Sequence, residues 1–225
     1  MKNKIVIITG ANRGLGQAFV DVLMMNGDSF VISISRSMSE KQLGYSPEKF
    51  YFLKTDLSEN NIGEKIAVLK DLIGNEAVYF INNASVIEPI VKIEDLDEIS
   101  IDKGISVNIK STILITKYLL RNFNTNKLSF VNISSGAANK AISNWSLYCS
   151  SKAFVQMFFN VAKNEYKQHL FLNVDPGIMD TNMQKIIRDS NFPDVENFKK
   201  SKKEGRLKSP FNIAENILKT IDRNV

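Results

Sequence analysis

Short apolar runs alternate along the chain with longer stretches in which apolar residues recur at three and four, and this alternation predicts strand and helix in turn. The runs predict strands near 4–9, 29–35, 50–55, 77–82, 127–133 and 170–175. Helical spacing predicts helices over 14–26, 60–73, 146–168 and 210–222, with a long pair across 94–123. Ile5-Val6-Ile7-Ile8 and the set Leu128, Phe130, Val131 and Ile133 are apolar on both strand faces, as buried parallel strands must be. The class expected is α/β, a doubly wound parallel sheet of six or seven strands with helices on both faces. Residues 182–209 break the rhythm: they are polar, contain Pro193 and Gly205, and make a candidate mobile lid over a substrate.

A chain of 225 residues, 44% hydrophobic and 24% charged, suits one domain spanning 1–225 with one core. The N-terminus has too short an apolar run for a signal peptide, and no segment reaches the length of a membrane span, so a cytoplasmic protein without membrane contact is expected. Cys149 is the only cysteine and His169 the only histidine, which leaves little material for a disulfide or a metal site. Cys149 is expected to fill a small apolar space, and His169 to lie on the surface at a helix end. Much of the net charge of +5 sits in Lys199, Lys200, Lys202, Lys203, Arg206 and Lys208. Without interleaved aromatics this run reads as a solvated face, not a nucleic-acid surface.

Thr9-Gly10-Ala11-Asn12-Arg13-Gly14-Leu15-Gly16 follows the first predicted strand and opens the first helix. Glycines there permit a tight turn and close approach of backbone to a pyrophosphate, which rests on the helix N-terminus. The spacing G-x-x-x-G-x-G differs from the G-x-G-x-x-G of other Rossmann-type sheets. The second strand ends in Ser33-Ile34-Ser35-Arg36-Ser37, where an enzyme using NAD would want an acid for the ribose 2′-hydroxyl. Arg36, with Arg13 in the glycine turn, instead suits a 2′-phosphate, so NADPH/NADP+ is the expected cofactor.

Tyr148 and Lys152 stand four apart on one face of a predicted helix, one turn from each other. An ammonium beside a phenol is expected to lower its pKa and make a usable proton donor. Ser135 closes the fifth predicted strand at its carboxyl end, where open α/β sheets bind ligands, and could hold a carbonyl oxygen.

Together these motifs resemble the short-chain dehydrogenase/reductase family, from residue 4 to about residue 220. The likeness also takes in Asp56-Leu57, Asn82-Asn83-Ala84-Ser85, Asn108 and Pro176-Gly177-Ile178 with Thr181. It implies that Asp56, with Leu57, contacts the adenine, and that Asn83 and Ala84 support the sheet and ribose region. Pro176, Gly177, Ile178 and Thr181 would embrace the nicotinamide, and Asn108 would hold a water that relays protons to Lys152. Gly10, Asn12, Arg13, Gly14, Leu15, Gly16 and Arg36 complete the implied cofactor site. Asn108, Ser135, Tyr148 and Lys152 form the implied catalytic set. Ser85 departs from the family's usual glycine and is expected only to adjust packing. Family members usually add a seventh strand after the last helix, whereas this sequence ends at Val225.

The segments Trp145 to Lys152 and Pro176 to Gln184 are most similar to the sepiapterin and benzil reductase branch. That likeness implies reduction of a small ketone or α-dicarbonyl, and a homo-oligomer paired through helices near 104–123 and 146–168. A 3-oxoacyl-carrier-protein reductase and a non-catalytic NADPH-binding regulator are the rival expectations.

Overall fold

The computed structural model describes residues 4–224; Met1 to Asn3 and Val225, and with them the ends of the expected 1–225 domain, lie outside the described residues. Six strands form one parallel sheet: β1 (Lys4–Thr9), β2 (Ser29–Ser35), β3 (Phe50–Lys54), β4 (Ala77–Asn82), β5 (Leu128–Ile133) and β6 (Leu170–Val174). The order is β3-β2-β1-β4-β5-β6, so the winding reverses between β1 and β4. Beyond the carboxyl ends of those two strands a crevice opens, the usual place for a ligand in such sheets.

The apolar runs explain themselves in the packing. Ile5 and Ile7 enter the core on one side of the sheet while Val6 and Ile8 enter the core on the other. Phe130 and Val131 of β5 divide in the same way. Full burial of each such side chain contributes roughly 1.5–3 kcal/mol. One face is covered by α1 (Gly14–Asn26) and α9 (Pro210–Asn224), through Phe19, Leu23, Ala214 and Ile217. The other is covered in part by α5 (Ser111–Asn122) and α6 (Ser146–Glu165), through Ile115, Leu119, Val155 and Phe159.

Two helical expectations are modified. The stretch 60–73 is divided into α2 (Ile62–Lys65), a 3₁₀ turn (Ile66–Val68) and α3 (Leu69–Leu72). Ile62, Ile66, Leu69 and Ile73 still face the core, but Gly63 and the β-branched Ile66 and Val68 favour helix weakly, and the turn tightens. The pair across 94–123 is one continuous rod: α4 (Glu98–Ile105) runs through a π-helical stretch (Ser106–Lys110) into α5. Residues 182–209, the candidate lid, contain α7 (Asn182–Asp189) and α8 (Val195–Lys203). Their inner side packs Ile187, Phe192 and Val195 against Trp145 and Tyr148.

The basic run is exposed on the outside of this two-helix cover, where Lys199 pairs with Glu196, Lys202 with Asp180 at 2.5 Å, and Arg206 with Glu204. His169 is buried rather than on the surface, with its ring stacked on Tyr166, and burial lowers its pKa. Cys149 is half-buried and donates to the carbonyl of Lys140. Among the described residues no helix is long and apolar enough to cross a membrane, and no group of three His, Cys, Asp or Glu could hold a metal ion.

Candidate active site

The crevice is a cavity of about 500 Å³ running from the glycine turn to the inner side of the two-helix cover. Gly10 and Gly14 adopt positive φ, 65° and 55°, which glycine alone adopts without strain. The turn is clamped from β4: Asn83 Nδ2 donates to the carbonyls of Thr9 (2.9 Å) and Gly10 (3.2 Å), and the backbone N–H groups of Asn83 and Ala84 donate to Thr9 Oγ1. Asn12 Nδ2 reaches Ser37 Oγ at 3.0 Å, tying the turn to the segment that carries Arg36.

Gly10, Asn12, Arg13, Gly14, Leu15, Arg36, Asp56, Leu57, Asn83 and Ala84 all line the cavity, as do Pro176, Gly177, Ile178 and Thr181. Gly16 does not; it provides space. A Cβ on Gly16 would lie 2.1 Å from the Gly10 carbonyl oxygen and 2.6 Å from Asn83 Nδ2. Gly16→Ala is therefore expected to destabilise the protein by about 3 kcal/mol or more in chemical denaturation. Gly44→Ala, where a Cβ would meet nothing within 4 Å, should stay close to wild type.

At the adenine end expected for Asp56, desolvation raises its carboxyl pKa. Hydrogen bonds from the Ser58 N–H and hydroxyl, and the charges of Arg36 and Lys103, outweigh this and leave it lowered. The group stays an acceptor at neutral pH. Thr181 caps α7, its hydroxyl accepting from the Gln184 N–H at 3.4 Å.

Ser135, Tyr148 and Lys152 come together on the cavity lining. Ser135 follows β5, and Tyr148 and Lys152 lie in the first two turns of α6 with the ammonium 5.7 Å from the Tyr148 ring centre. Lys152 Nζ donates to the Ile133 carbonyl at 2.9 Å. Burial lowers its pKa to about 8, against a raising influence from Asp175.

The expected lowering of the Tyr148 pKa by Lys152 is not what governs this site. Burial dominates and pushes the phenol up to about 12, while hydrogen bonds with Ser135 and Ser85 pull the other way. A phenol so raised holds its proton at neutral pH, the state a proton donor needs.

Asn108 does not line the cavity. It is buried in the π-helical stretch and its amide is fully used: Oδ1 accepts from Ser85 Oγ (3.1 Å) and the Val86 N–H (2.8 Å), and Nδ2 donates to the Val86 carbonyl and Ser151 Oγ. Its side chain thus ties the rod to α6 and the loop after β4 and has no free valence for a water. Ser85 does more than adjust packing, since its hydroxyl donates to Asn108 and it helps pull the Tyr148 pKa down. Asp175 was not expected at all. It lines the cavity beside the Tyr148 and Lys152 pair and accepts the Gly177 N–H at 2.9 Å; an acid directly before Pro176-Gly177 was the available signal.

A profile of the short chain dehydrogenase family matches residues 4–191. The chain belongs to the short-chain dehydrogenase family. It is an oxidoreductase by that membership. The benzil reductase ((S)-benzoin forming) of Bacillus subtilis is 31% identical over 98% of this chain and 94% of its own. The sepiapterin reductase of Bos taurus is 28% identical over 89% and 83%. Among solved structures, the KRED1-Pglu enzyme superposes with a TM-score of 0.89 at 28% identity, covering 99% of this chain and 96% of that one. The family binds a nicotinamide cofactor. The glycine cradle fits such a group: a Cβ on Gly10 would already lie 3.0 Å from the Ala84 Cα.

Proposed function

We propose that this oxidoreductase is an NADPH-dependent carbonyl reductase acting on a ketone or α-dicarbonyl of the benzil or sepiapterin kind. The observation that carries this reading is one cavity lined by both the Arg13 and Arg36 turns and the Ser135, Tyr148 and Lys152 group. When bound, the nicotinamide supplies the hydride. Tyr148 gives its proton to the carbonyl oxygen, Ser135 steadies the charge growing on that oxygen, and Lys152 holds the nicotinamide ribose. Asn108 positions the loop after β4 and the Tyr148 helix. The two-helix cover over 182–209 encloses the substrate.

Selection of NADPH rests on Arg36 and Arg13 and on the lack of an acid at the end of β2. Arg36→Ala should weaken NADPH about ten- to a hundredfold while changing NADH little, read by titration of each cofactor. Equal weakening of both would remove Arg36 as the selector. Activity with benzil, sepiapterin and an acetoacetyl thioester, each with NADPH, tests the reading itself. Reduction of the diketones supports it. Reduction of the thioester alone points to a 3-oxoacyl reductase, and NADPH binding without turnover to a regulator. A second copy is the expected partner, across the stripe Phe154, Met157 and Val161 that α6 leaves exposed.

A further inference from the structure

Asp175 directly follows β6 and lines the same cavity as Ser135, Tyr148 and Lys152. Its Oδ1 accepts the Gly177 N–H at 2.9 Å and so shapes the Pro176-Gly177 turn. Its Oδ2 faces the loop after β5, where a Cβ built on Gly136 would lie 3.6 Å away. Gly136 is the residue after Ser135, so this oxygen stands beside the backbone that carries the serine hydroxyl. Holding the Gly177 N–H requires only an acceptor, which Asn or Ser would supply without a charge. The turn therefore does not account for the charge.

That charge is felt at both reacting groups. Burial is the larger influence on each, and beyond it the Asp175 carboxylate raises the pKa of the Tyr148 phenol and of the Lys152 ammonium. Lys152 does not neutralise it: the ammonium donates to the Ile133 carbonyl, and among the described residues no ion pair joins the two. Of the other charges on the lining, Arg36 and Lys103 act on Asp56, Arg13 lies in the glycine turn, and Glu88 and Lys140 are one of each sign. Asp175 is exposed on the lining, so a ligand that fills the cavity displaces water from its carboxylate. With that water gone, a second negative charge nearby is repelled with less screening.

We propose that Asp175 is a specificity-determining residue whose negative charge turns away 2-oxo acids, which carry a carboxylate next to the reacting carbonyl, and leaves the site to neutral ketones, diketones and 2-oxo esters. This rests on the carbonyl-reductase reading and narrows its substrate class by charge. Tyr148 and Ser135 fix where the reacting oxygen sits, so a carboxylate on the adjacent carbon is held in the part of the cavity that Asp175 lines. Like charges about 6 Å apart in a site shielded from water weaken binding on the order of tenfold to a hundredfold.

The test compares benzoylformate with its methyl ester, which share the phenyl ring and the 2-oxo carbonyl and differ in charge, in wild type and Asp175→Asn. Asparagine keeps an acceptor for the Gly177 N–H, so the turn should stand. Asp175→Asn should raise the benzoylformate to ester ratio of kcat/KM about tenfold or more relative to wild type. The intrinsic reactivities of acid and ester cancel in that comparison between proteins. Trp145 is the only tryptophan and lines the cavity, so its fluorescence reports binding without turnover. At saturating NADP⁺, mandelate should bind Asp175→Asn about tenfold more tightly than wild type, and methyl mandelate should bind the two alike. Equal changes for acid and ester, or no change for the acid, overturn the charge filter while leaving the reductase reading intact. Selective tightening of mandelate in a protein that oxidises no NADPH with either 2-oxo compound would keep the filter and sink the reductase reading.

Discussion

Tyr148→Phe is expected to bind NADPH nearly as wild type does and to lose ~10²-fold or more in kcat, the scale set by removing a positioned acid. The phenyl ring keeps the packing against Trp145, so the variant should fold. The phenol lost is one that burial holds at about 12, hence fully protonated across the working pH range. Its protonation should therefore not shape the pH profile. A profile that falls as pH rises past about 8 would instead report Lys152, whose pKa burial has brought to that value.

Lys152→Met should show opposite effects on stability and on function. Its folded pKa is depressed below the ordinary 10.5, so the cost of burying the charge is fully present below about pH 8 and disappears as pH rises toward 10.5. Depression to about 8 corresponds to roughly 3 kcal/mol at neutral pH. Part of any gain is lost because the Ile133 carbonyl forfeits its donor. The cofactor-free variant should therefore be more stable by roughly 1–2 kcal/mol at pH 7, and the difference should shrink in alkaline buffer. Activity should fall at least ~10²-fold and NADPH should bind more weakly. Denaturation at pH 7 and pH 10 with cofactor titration separates the two effects; a variant less stable at both pH values would contradict the buried-charge account.

The sheet was legible because both its faces are covered: continuous runs such as Ile5 to Ile8 have no other comfortable place in a fold. The glycine turn was legible because Gly10 and Gly14 need positive φ and Gly16 has no room for a Cβ. Spacing alone did not distinguish residues that line the cavity from those that hold the lining, so Gly16 and Asn108 were expected at the ligand and lie behind it. Ser85 reads as a minor change in one dimension, yet the fold brings its hydroxyl to Asn108 and sets it to pull the Tyr148 pKa down. The cover was harder to read, because α7 and α8 are short and apolar only on the side that meets Trp145. The burial of His169, whose ring stacks on Tyr166, is likewise set by the fold and leaves no mark in the local pattern.

The most direct test of the account is reduction of benzil by wild-type protein and Tyr148→Phe, using NADPH deuterated at C4 on the transferable side. Wild type is expected to place the label on the carbinol carbon of the product, and Tyr148→Phe to do so at least ~10²-fold more slowly with NADPH affinity preserved. Comparable rates from the two proteins, or NADPH consumed without label in the carbinol, would contradict it.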